Sequence, residues 1–262
     1  MPSTSRPTTW LITGASRGIG YELVRQLVSS SDNLVVAACR TPEKATALHA
    51  LKSTSKGQLR LVQMDTGDFG SIRASFGQVE PILGEIGLDY LINNAGHTVQ
   101  DTPFILDPEA LVSTFRVNAA GPALVSQVYL PLIEKSNRKV ILNVSSEVGS
   151  IMSIEQLGLS GMFPAYAMSK AALNMLVNFV FYPLVCQPGL KMTGFQTVKQ
   201  KGARPDLIAI TLCPGHVKTD MGGPNGALEP EESVAGILKV VTEATSADSG
   251  KYLRYNGETI PW

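Results

Sequence analysis

Tyr166 and Lys170 stand four residues apart in the run Tyr-Ala-Met-Ser-Lys, so on a helix both side chains leave from one face. A phenol with an ordinary pKa near 10 is a poor acid–base catalyst at neutral pH. A neighbouring ammonium favours the phenolate and is expected to bring that pKa towards the working range. The pair reads as a proton-transfer device. Upstream of it lie Asn118 and the hydroxyl pair Ser145-Ser146.

A second chemical feature comes earlier in the chain. Gly14, Gly18 and Gly20, in Thr13-Gly-Ala-Ser-Arg-Gly-Ile-Gly20, follow a short apolar run and open a helix. Glycine there lets the backbone approach a pyrophosphate, and the helix N-terminus offers free N–H groups and partial positive charge. Taken alone, the run also reads as an ordinary glycine-rich turn. A further turn, Asn93-Asn-Ala-Gly96, follows downstream. An NAD-binding unit ends its second strand in an acid that accepts from the ribose hydroxyls. Here that segment is Ala37-Ala-Cys-Arg-Thr41, with no acid. Arg40 lies where a 2′-phosphate would sit, and Arg17 in the glycine loop can approach from the other side. Two guanidinium groups suit a dianionic phosphate, so NADP(H) is expected over NAD(H).

These residues need a scaffold. Apolar runs at 10–13, 34–38, 59–62, 88–92, 139–144 and 207–212 read as six strands. Helices are expected at 19–27, 43–51, 71–79, 108–135, from 163 onward and at 231–242. The fourth of these holds Asn118 and is interrupted near Gly121-Pro122. Strand–helix alternation with apolar strands predicts an α/β fold, a three-layer doubly wound parallel sheet of the Rossmann type. A single domain over 9–262 is expected after a flexible segment at 1–8.

At 262 residues the chain is long enough to bury one large core. With 44% apolar residues, 17% charged residues and zero net charge, nothing points to nucleic acid or an anionic membrane as partner. Cys39, Cys186 and Cys213 lie far apart without metal-type spacing, which fits reduced thiols and no metal site. The first residues carry no apolar signal region, and no stretch reaches the roughly 18 apolar residues of a membrane span. A cytoplasmic protein is expected.

The glycine loop, the Asn-Asn-Ala-Gly turn and the Tyr-Lys pair, in that order, resemble the short-chain dehydrogenase/reductase family from about Thr9 to the C-terminus. The spacing Gly-x-x-x-Gly-x-Gly is similar to the loop variant of these reductases. The resemblance implies that Tyr166 protonates a carbonyl oxygen as hydride arrives from a nicotinamide, with Ser146 orienting that oxygen. It implies that Lys170 hydrogen-bonds the nicotinamide ribose. Asn118 resembles the helix residue whose backbone carbonyl holds a water leading protons towards Lys170; a polar residue at a helix kink is the other reading. Ser145 is expected to be buried and structural. By the same resemblance the cofactor meets Gly14, Ser16, Arg17, Gly18, Ile19, Gly20, Arg40, Asn94, Ala95 and Gly96, besides Tyr166 and Lys170. Pro214, Gly215, Val217 and Thr219, in Cys213-Pro-Gly-His-Val-Lys-Thr219, resemble the turn against the nicotinamide. Asp65 resembles the position that meets the adenine amino group, or else caps the following helix. His216 reads as a packing or rim residue.

Two departures from the family pattern bear on the substrate. Ser146 and Tyr166 are 20 residues apart, more than is common, and the extra stretch carries Met152, Leu157, Leu159, Met162 and Phe163. With Lys218-Thr-Asp-Met-Gly-Gly223 and the ending Asn256-Gly-Glu-Thr-Ile-Pro-Trp262, this resembles the sniffer/C-factor branch of carbonyl reductases, which also holds fungal ketoreductases. His97, Met152, Leu157 and Phe163 are candidate pocket residues, and an apolar wall suits a mid-sized hydrophobic ketone or aldehyde. The second departure is a surplus at 178–196, with Pro183 and Pro188 where a helix should continue. It reads equally as a surface loop or as a short intron translated in frame. Family dimers use helices near 117–134 and 166–181, so a homodimer is one expected state. The leading expectation is an NADPH-dependent carbonyl reductase. The alternatives are an NADPH-binding sensor or signalling protein with little turnover and an NAD-linked alcohol dehydrogenase.

Overall fold

The computed structural model describes residues 6–158, 161–180 and 206–262. Apart from the helical backbone at 178–180, the surplus at 178–196 lies outside the described residues, as do Leu159 and Cys186. The elements run β1 (Thr8–Thr13), α1 (Gly18–Leu27), β2 (Asn33–Cys39), α2 (Thr46–Thr54), β3 (Gln58–Gln63), α3 (Phe69–Leu83), β4 (Tyr90–Asn93) and α4 (Pro108–Phe115). They continue with α5 (Gly121–Glu134), β5 (Val140–Val144), α6 (Pro164–Val180), β6 (Ile208–Cys213), α7 (Pro230–Glu243) and β7 (Tyr252–Arg254). All neighbouring strands pair in parallel, in the order β3-β2-β1-β4-β5-β6-β7.

Period-two alternation divides the strand residues between two faces. Trp10, Ile12, Val35, Ala37, Ile92, Leu142 and Ile210 meet Leu23, Val24 and Leu27 of α1, and Val234, Ile237 and Val241 of α7. Leu11, Leu34, Val36, Leu91, Ile141 and Ala209 meet Ile72 and Val79 of α3, Val125, Tyr129 and Leu132 of α5, and Val177 of α6. Helices therefore cover both faces, as the buried apolar strands demand.

The structure departs from the sequence reading in four places. The segment expected to be flexible to residue 8 is tied down from Arg6, whose guanidinium lies 2.6 Å from the Asp89 carboxylate, and β1 starts at Thr8; residues 1–5 lie outside the described residues. The helix expected at 43–51 is a 3₁₀ turn at Pro42–Lys44 followed by α2, because Ala45 (ψ 64°) leaves the helical region between them. The cap of α3 is Asp68, which accepts from Gly70 N–H at 2.8 Å, and not Asp65. A seventh strand, β7, is too short for its three residues to show a period.

Candidate active site

The chain reverses its direction of strand addition between β1 and β4, so a crevice opens beyond their C-terminal ends, where ligands bind in open parallel sheets. The glycine loop and the Asn93–Gly96 turn meet there. Gly14 and Gly18 adopt φ +65° and +55°, a region that favours glycine. A Cβ on Gly20 would lie 2.3 Å from the Gly14 carbonyl oxygen and 2.5 Å from Asn94 Nδ2. Asn94 Nδ2 donates to the Thr13 carbonyl at 2.9 Å, while Thr13 Oγ1 accepts from Asn94 and Ala95 N–H at 3.0 and 3.1 Å. These bonds lock the two turns together.

The residues present fit a dinucleotide. Helix α1 begins after Arg17 with no side-chain cap and no acid in its first turn, so its leading N–H groups, with Ser16 before them and Ile19 among them, suit an anion. Arg40 is exposed just beyond the C-terminal end of β2. Arg17 is paired with Asp220 at 3.0 Å, both side chains being largely exposed. The Asp65 carboxylate accepts from Gly67 N–H at 2.8 Å, an Asx turn at the end of β3. On the far side, the Pro214 carbonyl accepts from Ser233 Oγ at 2.7 Å and Gly215 adopts φ +82°. Val217 bridges Leu228, and the Thr219 methyl would sit 3.4 Å from a Cβ on Gly18. The segment 214–219 thus closes on the glycine loop. His216 bonds the Gly222 carbonyl at 2.8 Å and stays at the rim.

Helix α6 carries Tyr166, Lys170 and Asn174 on one face at successive intervals of four. Lys170 is buried; its ammonium donates to the Val144 carbonyl at 2.9 Å and lies 5.5 Å from the centre of the Tyr166 ring. A Cβ on Gly96 would be 3.7 Å from Asn118 Oδ1 and 3.8 Å from Lys170 Nζ, so all three groups converge. Asn118 sits in a π-helical turn at Arg116–Ala120, a distortion common at functional sites. Its side chain accepts from His97 N–H at 2.8 Å and donates to the His97 carbonyl at 2.7 Å and to Ser169 Oγ at 2.9 Å. Asn118, in the helix distortion, joins α6 to the turn after β4. Ser145 is buried and donates to Asn174 Oδ1 at 2.6 Å, and Asn174 donates to the Gly149 carbonyl at 3.2 Å.

The expected depression of the Tyr166 pKa is not found. Burial pushes the phenol up, with a hydrogen bond from Ser146 working the other way. Burial also lowers Lys170 to about 8. Each proton-bearing group is thus held towards its neutral form, because removal from water disfavours both charges.

Met152 and Leu157 are exposed on the segment after Ser146, with Ile151 and Met162. Phe163 takes φ +53°, a strained setting for a bulky residue, and its carbonyl starts the bonding of α6 by accepting from Ala167 N–H at 2.9 Å. Three residues absent from the sequence reading position the site. Asp101 accepts from Ala165 N–H at 3.0 Å in the first turn of α6. Asn174 links α6 to β5, and Tyr252 donates to the Ser146 carbonyl at 2.5 Å. Asn174 was visible in principle, being four residues beyond Lys170; Asp101 and Tyr252 reach across 64 and 106 positions, which no local pattern records. Among the described residues no cluster of three metal-ligating side chains exists, and no helix is long and apolar enough to cross a membrane.

The family model described as short chain dehydrogenase matches residues 8–181. An uncharacterized oxidoreductase of Schizosaccharomyces pombe is 29% identical over 269 residues, covering 97% of both chains. The NADPH-bound carbonyl reductase from chicken fatty liver superposes with a TM-score of 0.83 at 31% identity, covering 98% of this chain and 100% of that one. The carbonyl reductase Sniffer of D. melanogaster gives the same TM-score at 26% identity, with the same coverage.

Proposed function

The chain belongs to the short-chain dehydrogenase family, and from that premise we propose that it reduces a ketone or aldehyde to an alcohol with NADPH. The convergence of Ser146, Tyr166 and Lys170 beside the Asn93–Gly96 turn carries this reading. Gly14, Ser16, Gly18, Ile19 and the N-terminus of α1 would hold the pyrophosphate, Arg40 the 2′-phosphate and Lys170 the nicotinamide ribose. Bound NADPH supplies the hydride. Ser146 orients the substrate oxygen by hydrogen bonding. Burial keeps Tyr166 protonated at neutral pH, and Tyr166 donates that proton to the substrate oxygen. Lys170, titrating near 8, lies beside the Tyr166 ring and converges with Asn118 on Gly96, and it returns a proton to the phenol. The exposed Ile151, Met152 and Leu157 favour a mid-sized hydrophobic substrate over a sugar.

The test is consumption of NADPH and of NADH over a panel of hydrophobic ketones and aldehydes. Turnover with NADPH is expected, with NADH clearly poorer. Tyr166→Phe keeps the ring and removes the proton, so kcat should fall by about 10²–10⁴ with NADPH affinity nearly intact. A parent that consumes no NADPH across the panel, or a Tyr166→Phe variant within about threefold of it, would sink the proposal.

A further inference from the structure

Ser146 follows β5 and is held by contacts from two directions. Its carbonyl accepts from Gly149 N–H at 2.8 Å on one side and from the Tyr252 hydroxyl at 2.5 Å on the other. Tyr252 is buried in β7, at the edge of the sheet, and its ring stacks on that of Trp262 with centroids 5.3 Å apart. The chain beyond β7 returns along the residues that follow Ser146. Arg254 forms an ion pair with Glu147; Ser150 Oγ donates to the Pro261 carbonyl at 2.6 Å, and Met152 N–H to the Trp262 carbonyl at 3.2 Å. Four separate contacts thus join residues 252–262 to residues 146–152. Tyr252 and Ile260 bury against Cys213, while Ile151 and Met152 on the joined segment remain exposed.

We propose that Tyr252 is a positioning residue for Ser146, and that residues 252–262 form a strap fixing the segment that walls the substrate side of the site. The inference rests on the reductase reading for its consequence in turnover, but not for its physical content. Tyr252 fills the remaining lone pair of the Ser146 carbonyl and so sets where the Ser146 hydroxyl points. Removing that donor frees the carbonyl and lets the hydroxyl drift from the substrate oxygen.

The experiment uses the full chain saturated with NADPH and compares the parent with Tyr252→Phe and Arg254→Gln. The first keeps the stacked ring and removes a hydroxyl that donates to Ser146 and also meets the Asn174 and Ser145 side chains; the second opens the Glu147 pair at the surface. Amide hydrogen exchange over 146–153 should accelerate in both variants, while exchange over 90–96 stays as in the parent. For Tyr252→Phe, kcat on the best panel substrate should fall about three- to tenfold, the effect of one lost hydrogen bond. Its NADPH dissociation constant should stay within about twofold. Unchanged exchange over 146–153 in both variants overturns the proposal. So does a Tyr252→Phe loss of NADPH binding in step with turnover, which marks a general structural role. A parent that reduces no carbonyl overturns the reductase reading alone, because the exchange experiment still reports on the strap.

Discussion

At the scale of single residues, Tyr166 and Lys170 illustrate how burial competes with a charged neighbour. An ammonium lowers a phenol's pKa when it faces the phenolate directly, but Lys170 directs one of its three donors to the Val144 carbonyl and lies 5.5 Å from the centre of the Tyr166 ring. Desolvation then dominates both groups, raising the tyrosine and lowering the lysine to about 8. A lysine whose pKa falls on burial is expected to cost stability while it is charged. In the unfolded chain this amine keeps its proton up to about 10.5, whereas in the native chain it loses it near 8. Below pH 8 the native state bears the full cost of a buried ammonium; the cost fades as pH rises from 8 to 10.5. Lys170→Met should accordingly raise stability at pH 7 by about 1–3 kcal/mol, less whatever the orphaned Val144 carbonyl forfeits, and abolish most turnover. Denaturant unfolding at pH 7 and pH 10 checks this. A gain of equal size at both pH values would show that burial of the charge is not its source.

At the scale of elements, the site depends on where α6 lies. The i, i+4 spacing that makes Tyr166 and Lys170 share a face was legible in the sequence, and so was the break in the long helical region next to Gly121-Pro122. What seats the helix was not, because its anchors come from distant segments: Asp101 at its first turn, Asn118 through Ser169, and Ser145 through Asn174. Gly149 is the sharpest of these contacts. A Cβ there would stand 2.8 Å from Lys170 Cβ and 2.9 Å from the Lys170 carbonyl carbon, and neither atom is the far end of a flexible chain. Gly149 has no positive φ, so alanine suits its backbone and only the contact matters. Gly149→Ala should push α6 away from β5 and lower kcat on the order of 10²-fold, the effect of an ångström of misplacement. Gly77→Ala is the control: it meets nothing within 4 Å on the exposed face of α3 and should stabilise by about 0.5–1 kcal/mol with turnover unchanged. Equal turnover in both variants would mean that α6 has slack the contact does not reveal.

At the scale of the whole molecule, the parallel sheet separates chemistry from anchoring. The fold class and six of its seven strands were legible because buried strands are written as apolar runs and helices as longer periodic ones. The two glycine-bearing turns were legible for a related reason: backbone that must approach a ligand or another turn closely excludes side chains. Long-range polar pairing leaves no such trace, so neither the Tyr252 contact nor the opposite end of the sheet was foreseen. At that opposite end, before β4, buried Asp89 accepts from Arg6 at 2.6 Å, from Thr9 N–H at 3.0 Å and from Thr9 Oγ1 at 3.1 Å. Thr9 Oγ1 also accepts from Asp89 N–H at 2.9 Å. This clamp fastens the starts of β1 and β4, the two strands whose other ends carry the glycine loop and the Asn93–Gly96 turn. Asp89→Ala leaves Thr9 N–H without its acceptor inside the fold and leaves Arg6 only its bond to the Ile86 carbonyl. A loss of about 2–4 kcal/mol follows from the broken buried bonds, and the midpoint of thermal unfolding should drop by roughly 5–10 °C. Because the crevice lies at the far end of the same strands, kcat per folded molecule, measured well below the transition, should stay within about twofold of the parent. If turnover instead falls in proportion to stability, the two ends of β1 and β4 are mechanically coupled and the separation of anchoring from chemistry does not hold.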